Sequence, residues 1–196
     1  MHLSLCLPCY EGKVSLHWMS AYMRTRDLLT KQNIKFDMIT VGGCALIHLA
    51  REELIRQSLD SGATHILFVD VRQIWEPVGV LRMLSDLEEV DLVTAPTGTS
   101  NLKFCVGYNG KEKGHLKGAD HSAISFMGIK RKALQKIWDA YPDLEYEVEE
   151  GTRYGVCHPM IENKLPVGED IAFTLRAVRA GVDIWVDNGI KVKRII

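Results

Sequence analysis

Residues 64–77 read THILFVDVRQIWEP and contain the most informative apolar run of the chain. The run Ile66–Val69 follows Gly62 and is too short to be a helix of its own, so we expect a strand that is buried on both faces. The strand ends at Asp70. In an open α/β sheet, residues just past the carboxyl ends of the strands face the ligand crevice. Asp70 is therefore the first candidate for a functional residue.

Strands and helices alternate on both sides of this segment. Pro77 suits the first turn of a helix that follows the central strand. Such alternation predicts a parallel sheet with helices on both faces, joined by right-handed crossovers, so residues 1–96 should form a Rossmann-like half. The other predicted elements are strands at 2–7, 34–40 and 91–95 and helices at 15–31 and 45–61.

The pattern changes after Pro96, where strands are no longer separated by helices. We expect residues 97–196 to complete one domain of the α/β class with a mixed central sheet. The helix predicted at 169–180 would turn Ile171, Leu175 and Val178 inward. The other elements predicted here are strands at 103–108 and 123–129, a turn at Asn109-Gly110, a helix at 131–141, a polar loop at 142–166, and strands at 183–187 and 190–195.

Composition excludes several classes of function. The chain has 196 residues, an apolar fraction of 46% and a formal net charge of -1, which gives no electrostatic argument for binding nucleic acid. No apolar run approaches the roughly 20 residues of a membrane span. The five cysteines lack the spacing of a disulfide framework, so we expect reduced thiols and a cytoplasmic protein.

The cysteines and histidines have the residue types of a metal or redox site, but neither set is assigned to one. Cys6 and Cys9 are spaced as a redox pair, but a strand that ends in a loop explains them equally well and is preferred. None of the seven histidines has metal-ligand spacing to another, and they are expected to be surface or loop residues.

Acidic residues at the ends of elements have two interpretations each. Asp70 could bind a metal or a ribose, or could stabilise the turn that follows its strand. Glu169 and Asp170 begin the last helix, where acidic side chains offset the helix dipole and cap free amides. Alternatively, one of the two could be a general base beside the crevice.

Arg51 lies on a helix face that is expected to be buried, because Ile47, Ala50 and Leu54 share that face at helical spacing. A buried guanidinium needs a partner. Its head could extend to solvent, or it could reach a phosphate or Asp70.

The order of motifs resembles that of small glycosyltransferases of the GT-A fold, especially the compact forms encoded by large viruses and phages. The resemblance covers nearly the whole chain. The motifs that carry it are the Pro-containing loop after the first strand, Ala50–Leu54, Phe68–Arg72, Phe126–Arg131, Gly168–Asp170 and Asp183–Asp187.

The resemblance implies that residues 1–96 bind a nucleotide-diphosphate sugar, with uridine diphosphate as the expected nucleotide, and that residues 97–196 form the acceptor side. It places Glu169 and Asp170 as candidates for the base, with Asp170 preferred. It also implies Mn²⁺ or Mg²⁺ on the diphosphate, held by an Asp-x-Asp motif and a late histidine. The positions implied to contact the nucleotide are Pro8, Tyr10, Glu11, Arg51, Asp70, Arg72 and Arg194.

Three positions depart from the family pattern. Arg72 replaces the second aspartate of Asp-x-Asp, Arg194 replaces the late histidine, and Glu52 stands where the family often has asparagine. A guanidinium cannot ligate a hard cation, so Asp70 is the only metal ligand left if any metal is bound. Either the two arginines replace the metal at the diphosphate, or the chain has lost turnover.

We therefore expect a glycosyltransferase that moves a sugar from a UDP-sugar to a hydroxyl of a glycan or another acceptor. One alternative is a non-catalytic module that binds a nucleotide sugar or a glycan on the same scaffold. A second is a nucleotidyltransferase, but the Gly-rich basic loop expected after strand one is lacking, since Pro8–Lys13 has one Gly and one Lys.

Overall fold

The computed structural model describes residues 1–97 and 106–195 as an α/β fold with one large central sheet. The elements predicted for residues 1–96 are all present with slightly shifted ends, and β4 is an addition. The helices are α1 (Leu16–Lys31), α2 (Ile47–Asp60), α3 (Pro77–Glu89), α4 (Arg131–Ala140) and α5 (Glu169–Arg179). The strands are β1 (His2–Cys9), β2 (Lys35–Gly42), β3 (His65–Val69), β4 (Gln73–Trp75), β5 (Leu92–Thr94), β6 (Val106–Lys113), β7 (Leu116–Ser122), β8 (Phe126–Lys130), β9 (Glu145–Val148), β10 (Gly151–Tyr154), β11 (Met160–Glu162), β12 (Leu165–Val167), β13 (Ile184–Val186) and β14 (Val192–Arg194).

The central sheet has eight strands in the order β2-β1-β3-β8-β5-β13-β7-β6. β1 pairs in parallel with β2 and β3, as expected for a Rossmann-like half. β8 lies antiparallel between β3 and β5, and β13 pairs in parallel with β5. β7 and β6 complete the sheet in antiparallel pairing. The expected α/β class with a mixed central sheet is confirmed.

Helices cover both faces of the sheet, and β1 and β3 alternate between the two cores. Leu5 and Leu67 pack in the core that α1 and α3 cover. Cys6 and Phe68 pack in the core that α2, α4 and α5 cover. A strand between two helical layers needs apolar side chains on both faces, which explains the continuous apolar run Ile66–Val69.

The turn predicted at Asn109-Gly110 is wrong, and β7 was not foreseen. β6 continues to Lys113, and the chain reverses at Gly114. The register of β6 against β7 shifts on both sides of Tyr108, so Asn109 and Gly110 lie in an irregular part of the strand. Asn109 Oδ1 accepts a hydrogen bond from Lys111 N at 3.1 Å. Because the same local bond forms in turns, the sequence could not distinguish the two arrangements.

Two other predictions for the second half need qualification. Residues 103–105 of the strand predicted at 103–108 lie outside the described residues. The polar segment 142–166 is more ordered than a loop, because it contains the hairpins β9–β10 and β11–β12 and two turns of 3₁₀ helix at Pro142–Leu144 and Gly155–Cys157.

The inward face predicted for α5 is only partly right, because Val178 packs against the core as predicted but the most buried positions are others. Phe173 and Arg176 are buried, whereas Ile171, Leu175 and Val178 are only half-buried. Arg176 Nη1 donates to the carbonyl oxygens of the segment 156–158, at 2.8 and 2.6 Å. The segment 142–166 therefore supplies polar partners that let a charged residue occupy the buried face of the helix.

The expectation that the histidines are surface or loop residues is wrong for His2, which is buried in β1 with its Nε2 2.8 Å from Asp37 Oδ2. His115 lies 2.8 Å from a carboxylate oxygen of Asp86, 29 residues away in sequence. Contacts between residues so far apart cannot be found from local spacing.

Cys6 and Cys9 are both free and buried. The other cysteines among the described residues, Cys44 and Cys157, are also free. Cys6 Sγ lies 3.0 Å from Ser58 Oγ in one core, whereas Cys9 belongs to the other core. Burial raises the pKa of the Cys6 thiol to about 12, which leaves it unreactive. The preferred interpretation, a strand that ends in a loop, is confirmed. No helix in the described ranges has both the length and the apolar character needed to cross a membrane.

Candidate active site

A cleft of about 430 Å³ lies at the carboxyl ends of β1 and β3. This is the edge of the sheet at which open α/β folds bind ligands. Of the residues singled out from sequence, six line this cleft and three do not. The lining residues are Pro8, Tyr10, Asp70, Arg72, Asp170 and Arg194. The cleft lining does not include Glu11, Arg51 or Glu169.

Asp70 occupies the first position after β3, where the backbone turns into β4. Its amide donates to Ser125 O at 3.1 Å, and its carbonyl accepts from Gln73 N at 3.0 Å. These bonds fix the backbone on both sides of the residue. The Asp70 carboxylate is about one third exposed and therefore accessible from the cleft.

Arg51 is the buried partner of Asp70. Its side chain is only 4% exposed, and Nη2 lies 3.4 Å from Asp70 Oδ1. Nη1 lies 3.0 Å from Glu169 Oε1, a contact that sequence reasoning did not anticipate. Of the partners considered for Arg51, the structure provides Asp70 and adds Glu169. The guanidinium links α2 to the end of β3 and to the start of α5.

A two-stranded ribbon brings Arg72 and Arg194 together. β14 pairs antiparallel with β4, with Arg194 opposite Gln73, and Ile195 N donates to Arg72 O at 2.8 Å. Both arginine side chains are exposed and line the cleft. Within residues 1–97 and 106–195, neither guanidinium has a carboxylate partner in an ion pair. Two cationic groups are thus available to an anion in the cleft.

The two acidic residues at the start of α5 have different surroundings. Glu169 is held by Arg51. Asp170 lines the cleft, and its Oδ1 accepts a hydrogen bond from Ile171 N at 2.8 Å. Gly168 occupies the N-cap position without a side-chain cap, so Asp170 provides the side-chain oxygen that accepts from an amide of the first turn. Asp170 is therefore the member of the pair that can reach a molecule in the cleft.

Several cleft residues were not found from sequence. Gln73 is 4% exposed and lines the cleft, and its Oε1 has no hydrogen-bond partner among the described residues. Thr97 and Ser125 also line the cleft, with their hydroxyl oxygens 2.9 Å apart. Ser125 precedes a strand of the second half, and only the tertiary fold brings it beside Asp70. The one available signal was the position of Gln73 in the turn after Asp70.

Glu52, one of the departures from the family pattern, lies behind the cleft in a buried network. Its Oε2 accepts from the Tyr146 hydroxyl at 2.7 Å, and its Oε1 accepts from Cys157 N at 3.2 Å. Burial raises the pKa of Glu52 to about 7. The hydrogen bonds from Tyr146 and Cys157 favour the charged form and lower the pKa, but burial has the larger effect. Burial also lowers the pKa of His158, which lies 3.4 Å from Glu52 Oε2. The network attaches the segment 142–166 to α2.

The residues around Asp70 do not fit a protein-held Mn²⁺ or Mg²⁺ ion. Hard dications need several oxygen ligands, and Asp70 already faces Arg51 and shares its cleft with Arg72 and Arg194. The one cluster of three metal-ligating side chains found within the described residues, which contains Asp86, lies elsewhere. The metal implied by resemblance therefore lacks its ligand set in this cleft.

The fold and the cleft at its strand ends define the class of the chain: it has the GT-A fold of nucleotide-sugar glycosyltransferases. Among solved structures, it is similar to A197 from STIV, with a TM-score of 0.64 and 16% identity over 100% of this chain and 86% of that one. It is also similar to GalNAc-T7 with UDP, GalNAc and Mn²⁺, with a TM-score of 0.63 and 7% identity over 100% of this chain and 44% of that one.

A third similar structure is S. aureus TarS 1-349 in complex with UDP-GlcNAc, with a TM-score of 0.54 and 13% identity over 98% of this chain and 58% of that one. The chain thus spans most of A197 and about half of the other two. Comparison of the sequence with models of protein families and with characterised proteins found no match. At these identities the likeness establishes the fold.

Proposed function

We propose that this protein is a glycosyltransferase that transfers a sugar from a nucleotide-diphosphate donor, preferentially a UDP-sugar, to an acceptor hydroxyl. The observation that carries the proposal is the convergence of Asp70, Arg72, Arg194 and Asp170 on one cleft of a GT-A fold. Supporting it, structures of the same fold have been solved with UDP and with UDP-GlcNAc. The nucleotide would lie across the ends of β1 and β3, beside Pro8 and Tyr10.

Arg72 and Arg194 would bind the diphosphate. Guanidinium groups form paired hydrogen bonds with phosphate oxygens, and both side chains lack carboxylate partners in the described chain. As the bond between the sugar carbon and the β-phosphate oxygen breaks, negative charge accumulates on that oxygen. The two cations would stabilise this charge, which is the role that a metal has in the family that the sequence resembles.

Asp170 would act as the general base. It would take the proton from the acceptor hydroxyl while the hydroxyl oxygen forms a bond to the sugar carbon and the nucleoside diphosphate leaves. Glu169 is less suited to this role because Arg51 holds its carboxylate 3.0 Å from Nη1. Arg51 would act as a positioning residue that keeps both Asp70 and Glu169 in place.

Titration calorimetry with UDP, GDP and ADP, followed by hydrolysis and transfer assays with a panel of nucleotide sugars, tests the proposal. We expect UDP to bind and a UDP-sugar to be hydrolysed or transferred, with Mn²⁺ and with chelator alike. Failure of all the nucleotides to bind would refute the proposal and leave only the fold. Binding of a nucleotide sugar without turnover of any donor would instead support the non-catalytic module, which the lack of a metal-ligand set in the cleft favours.

A further inference from the structure

A second polar cluster lies apart from the cleft, where three elements from distant parts of the sequence meet. Asp86 lies in the last turns of α3, Asp187 follows β13, and His115 lies in the turn between β6 and β7. One ligand atom from each of these residues lies within 4.8 Å of the others. None of the three lines the cleft that contains Asp70. The proposed glycosyl transfer makes no use of them.

The two carboxylates of this cluster are deeply buried. Asp86 is 5% exposed and Asp187 is 1% exposed. Two carboxylates that face one another away from water repel each other, and each loses much of its hydration. Such a pair needs compensation from cations or from hydrogen-bond donors. The hydrogen-bond donors and cations around each carboxylate show how much of this compensation the protein provides.

Within the part of the chain that the structure describes, the surrounding protein groups provide hydrogen-bond donors for both carboxylate oxygens of Asp187 but for only one carboxylate oxygen of Asp86. Arg82 donates to both carboxylate oxygens of Asp187, and Gly189 N donates to Oδ1 at 2.7 Å. For Asp86, Oδ1 lies 2.8 Å from His115 Nε2. Asp86 Oδ2 is buried and has no hydrogen-bond partner among the described residues. A buried carboxylate oxygen without a donor is an uncommon feature that calls for a ligand.

We propose that Asp86, His115 and Asp187 bind a divalent transition-metal ion of the Zn²⁺ type. One imidazole nitrogen and two carboxylate oxygens form a ligand set that Zn²⁺ accepts, with water completing the coordination. Asp86 Oδ2 gains a cationic partner when the ion binds. A carboxylate oxygen accepts more than one interaction, so Asp187 can keep Arg82 while one of its oxygens coordinates the ion. The Arg82 side chain is partly exposed, so solvent screens part of its repulsion of the ion.

The ion would attach α3 to the β6–β7 turn and to the end of β13, two elements that are already joined to each other by the pairing of β7 with β13. His115 is 53% exposed and belongs to a hairpin turn at the edge of the sheet, whereas the two aspartates belong to the buried part of the fold. Binding would fix the β6–β7 turn against α3. The expected effect is a higher melting temperature in the presence of the metal, because a ligand that binds only the folded state stabilises it.

The test is binding of Zn²⁺ to the full chain, by calorimetry and by metal content after dialysis, with Co²⁺ absorption as a second readout of imidazole coordination. We expect one equivalent per chain, with a rise in melting temperature. His115→Ala should fold normally, since the side chain is largely exposed, and should weaken binding at least tenfold and abolish the Co²⁺ signal. Asp86→Asn should do the same.

Two matched variants locate the ion. His17→Ala removes an exposed histidine from α1 and should leave binding unchanged. Asp70→Asn alters the cleft and should also leave binding unchanged. Loss of the ion in Asp70→Asn but not in His115→Ala would overturn the proposal in favour of the cleft. Failure of the unaltered protein to take up Zn²⁺ or Co²⁺ would overturn it in favour of a cluster held by a shared proton. Binding of UDP to the unaltered protein is measured separately, so failure of this proposal can be distinguished from failure of the proposed glycosyl transfer.

Discussion

Arg51 Nη1 lies 3.0 Å from Glu169 Oε1, and this ion pair joins α2 to the start of α5 across 118 residues of sequence. The same guanidinium reaches Asp70 at the end of β3. A single buried cation thus couples the carboxylate that faces the proposed nucleotide to the helix that carries the proposed base. Asp70 lines the cleft, whereas Arg51 and Glu169 do not, so the effect of Arg51 should be one of position and stability.

Arg51→Lys should lower the free energy of unfolding by about 1–3 kcal/mol, because a single ammonium cannot replace a planar guanidinium that contacts two carboxylates in a buried place. Urea denaturation measures the change. The matched control is Arg56→Lys on the same helix, whose ion pairs with Glu53 and Asp60 are more exposed and should cost less than about 1 kcal/mol. Equal effects of the two substitutions would show that the buried ion pairs of Arg51 contribute no more to stability than the more exposed ion pairs of Arg56.

Asp170→Asn should reduce sugar transfer by roughly 10²-fold or more and should leave nucleotide affinity nearly unchanged. The amide keeps the shape of the side chain and an oxygen that can accept from Ile171 N, but it cannot take a proton at neutral pH. Steady-state transfer assays and calorimetry separate the two effects. Glu169→Gln is the matched variant, and it should act mainly on stability through Arg51. A loss of turnover in Glu169→Gln with normal turnover in Asp170→Asn would reverse the assignment.

The sequence predicted the parts of the fold in which local pattern and tertiary burial agree. Strand β3 needs apolar side chains on both faces, and its continuous run Ile66–Val69 reflects this directly. The inward face of α5 was only partly predicted, because Arg176 is buried against carbonyl oxygens of the segment 156–158. That segment is remote in sequence from the helix interior, so periodicity alone assigned the buried face to the most apolar residues.

In the candidate site too, local sequence indicates some residues, whereas only the tertiary fold brings others to the cleft. Asp70 follows from its position at the end of a buried strand, and Arg51 follows from a charge on an apolar helix face. Ser125 carries no such local signal, and only the pairing of β3 with β8 brings it to the cleft.

The buried Glu52 should make folding stability fall as the pH rises from about 4.5 to about 7. Burial raises the pKa of Glu52 from 4.5 to about 7, so the folded state retains a proton that the unfolded state has already lost. This contribution is complete below pH 4.5 and is lost as the pH rises through the folded-state pKa, a change of ~3 kcal/mol. The cations and ionisable groups around it are Arg153, Arg176, His158 and Tyr146.

Chemical denaturation at a series of pH values measures this dependence for the unaltered protein and for Glu52→Gln, in which the decline should be much smaller. Glu53→Gln is the matched control on the same helix. Burial acts to raise the pKa of Glu53, but hydrogen bonds from Arg56 and Gln57 outweigh it and lower the pKa. The contribution of Glu53 to folding stability is therefore lost at acid pH. In Glu53→Gln, folding stability should still fall between pH 4.5 and 7. If stability also falls between pH 4.5 and 7 in Glu52→Gln, the pH dependence belongs to another group.

Both arginines of the β4–β14 ribbon should contribute to binding of the nucleotide. If Arg72 and Arg194 bind the diphosphate, Arg72→Gln and Arg194→Gln should each weaken UDP binding about tenfold or more, the scale of one charge-assisted interaction. Calorimetry should also show that chelator has no effect and that affinity falls with salt. Lys193→Gln is the matched control, because Lys193 is an exposed cation on the same strand that does not line the cleft.

The double substitution Arg72→Asp with Arg194→His should reverse the metal dependence. Two carboxylates and an imidazole would then be available on the cleft wall, so UDP binding should come to require Mn²⁺, because the added carboxylate repels a diphosphate in its absence. If the unaltered protein already loses UDP binding in chelator, the two guanidiniums do not replace a metal. If it binds UDP without metal and never transfers sugar, while the double variant transfers sugar with Mn²⁺, then the replacements at positions 72 and 194 have disabled an enzyme that keeps its nucleotide site.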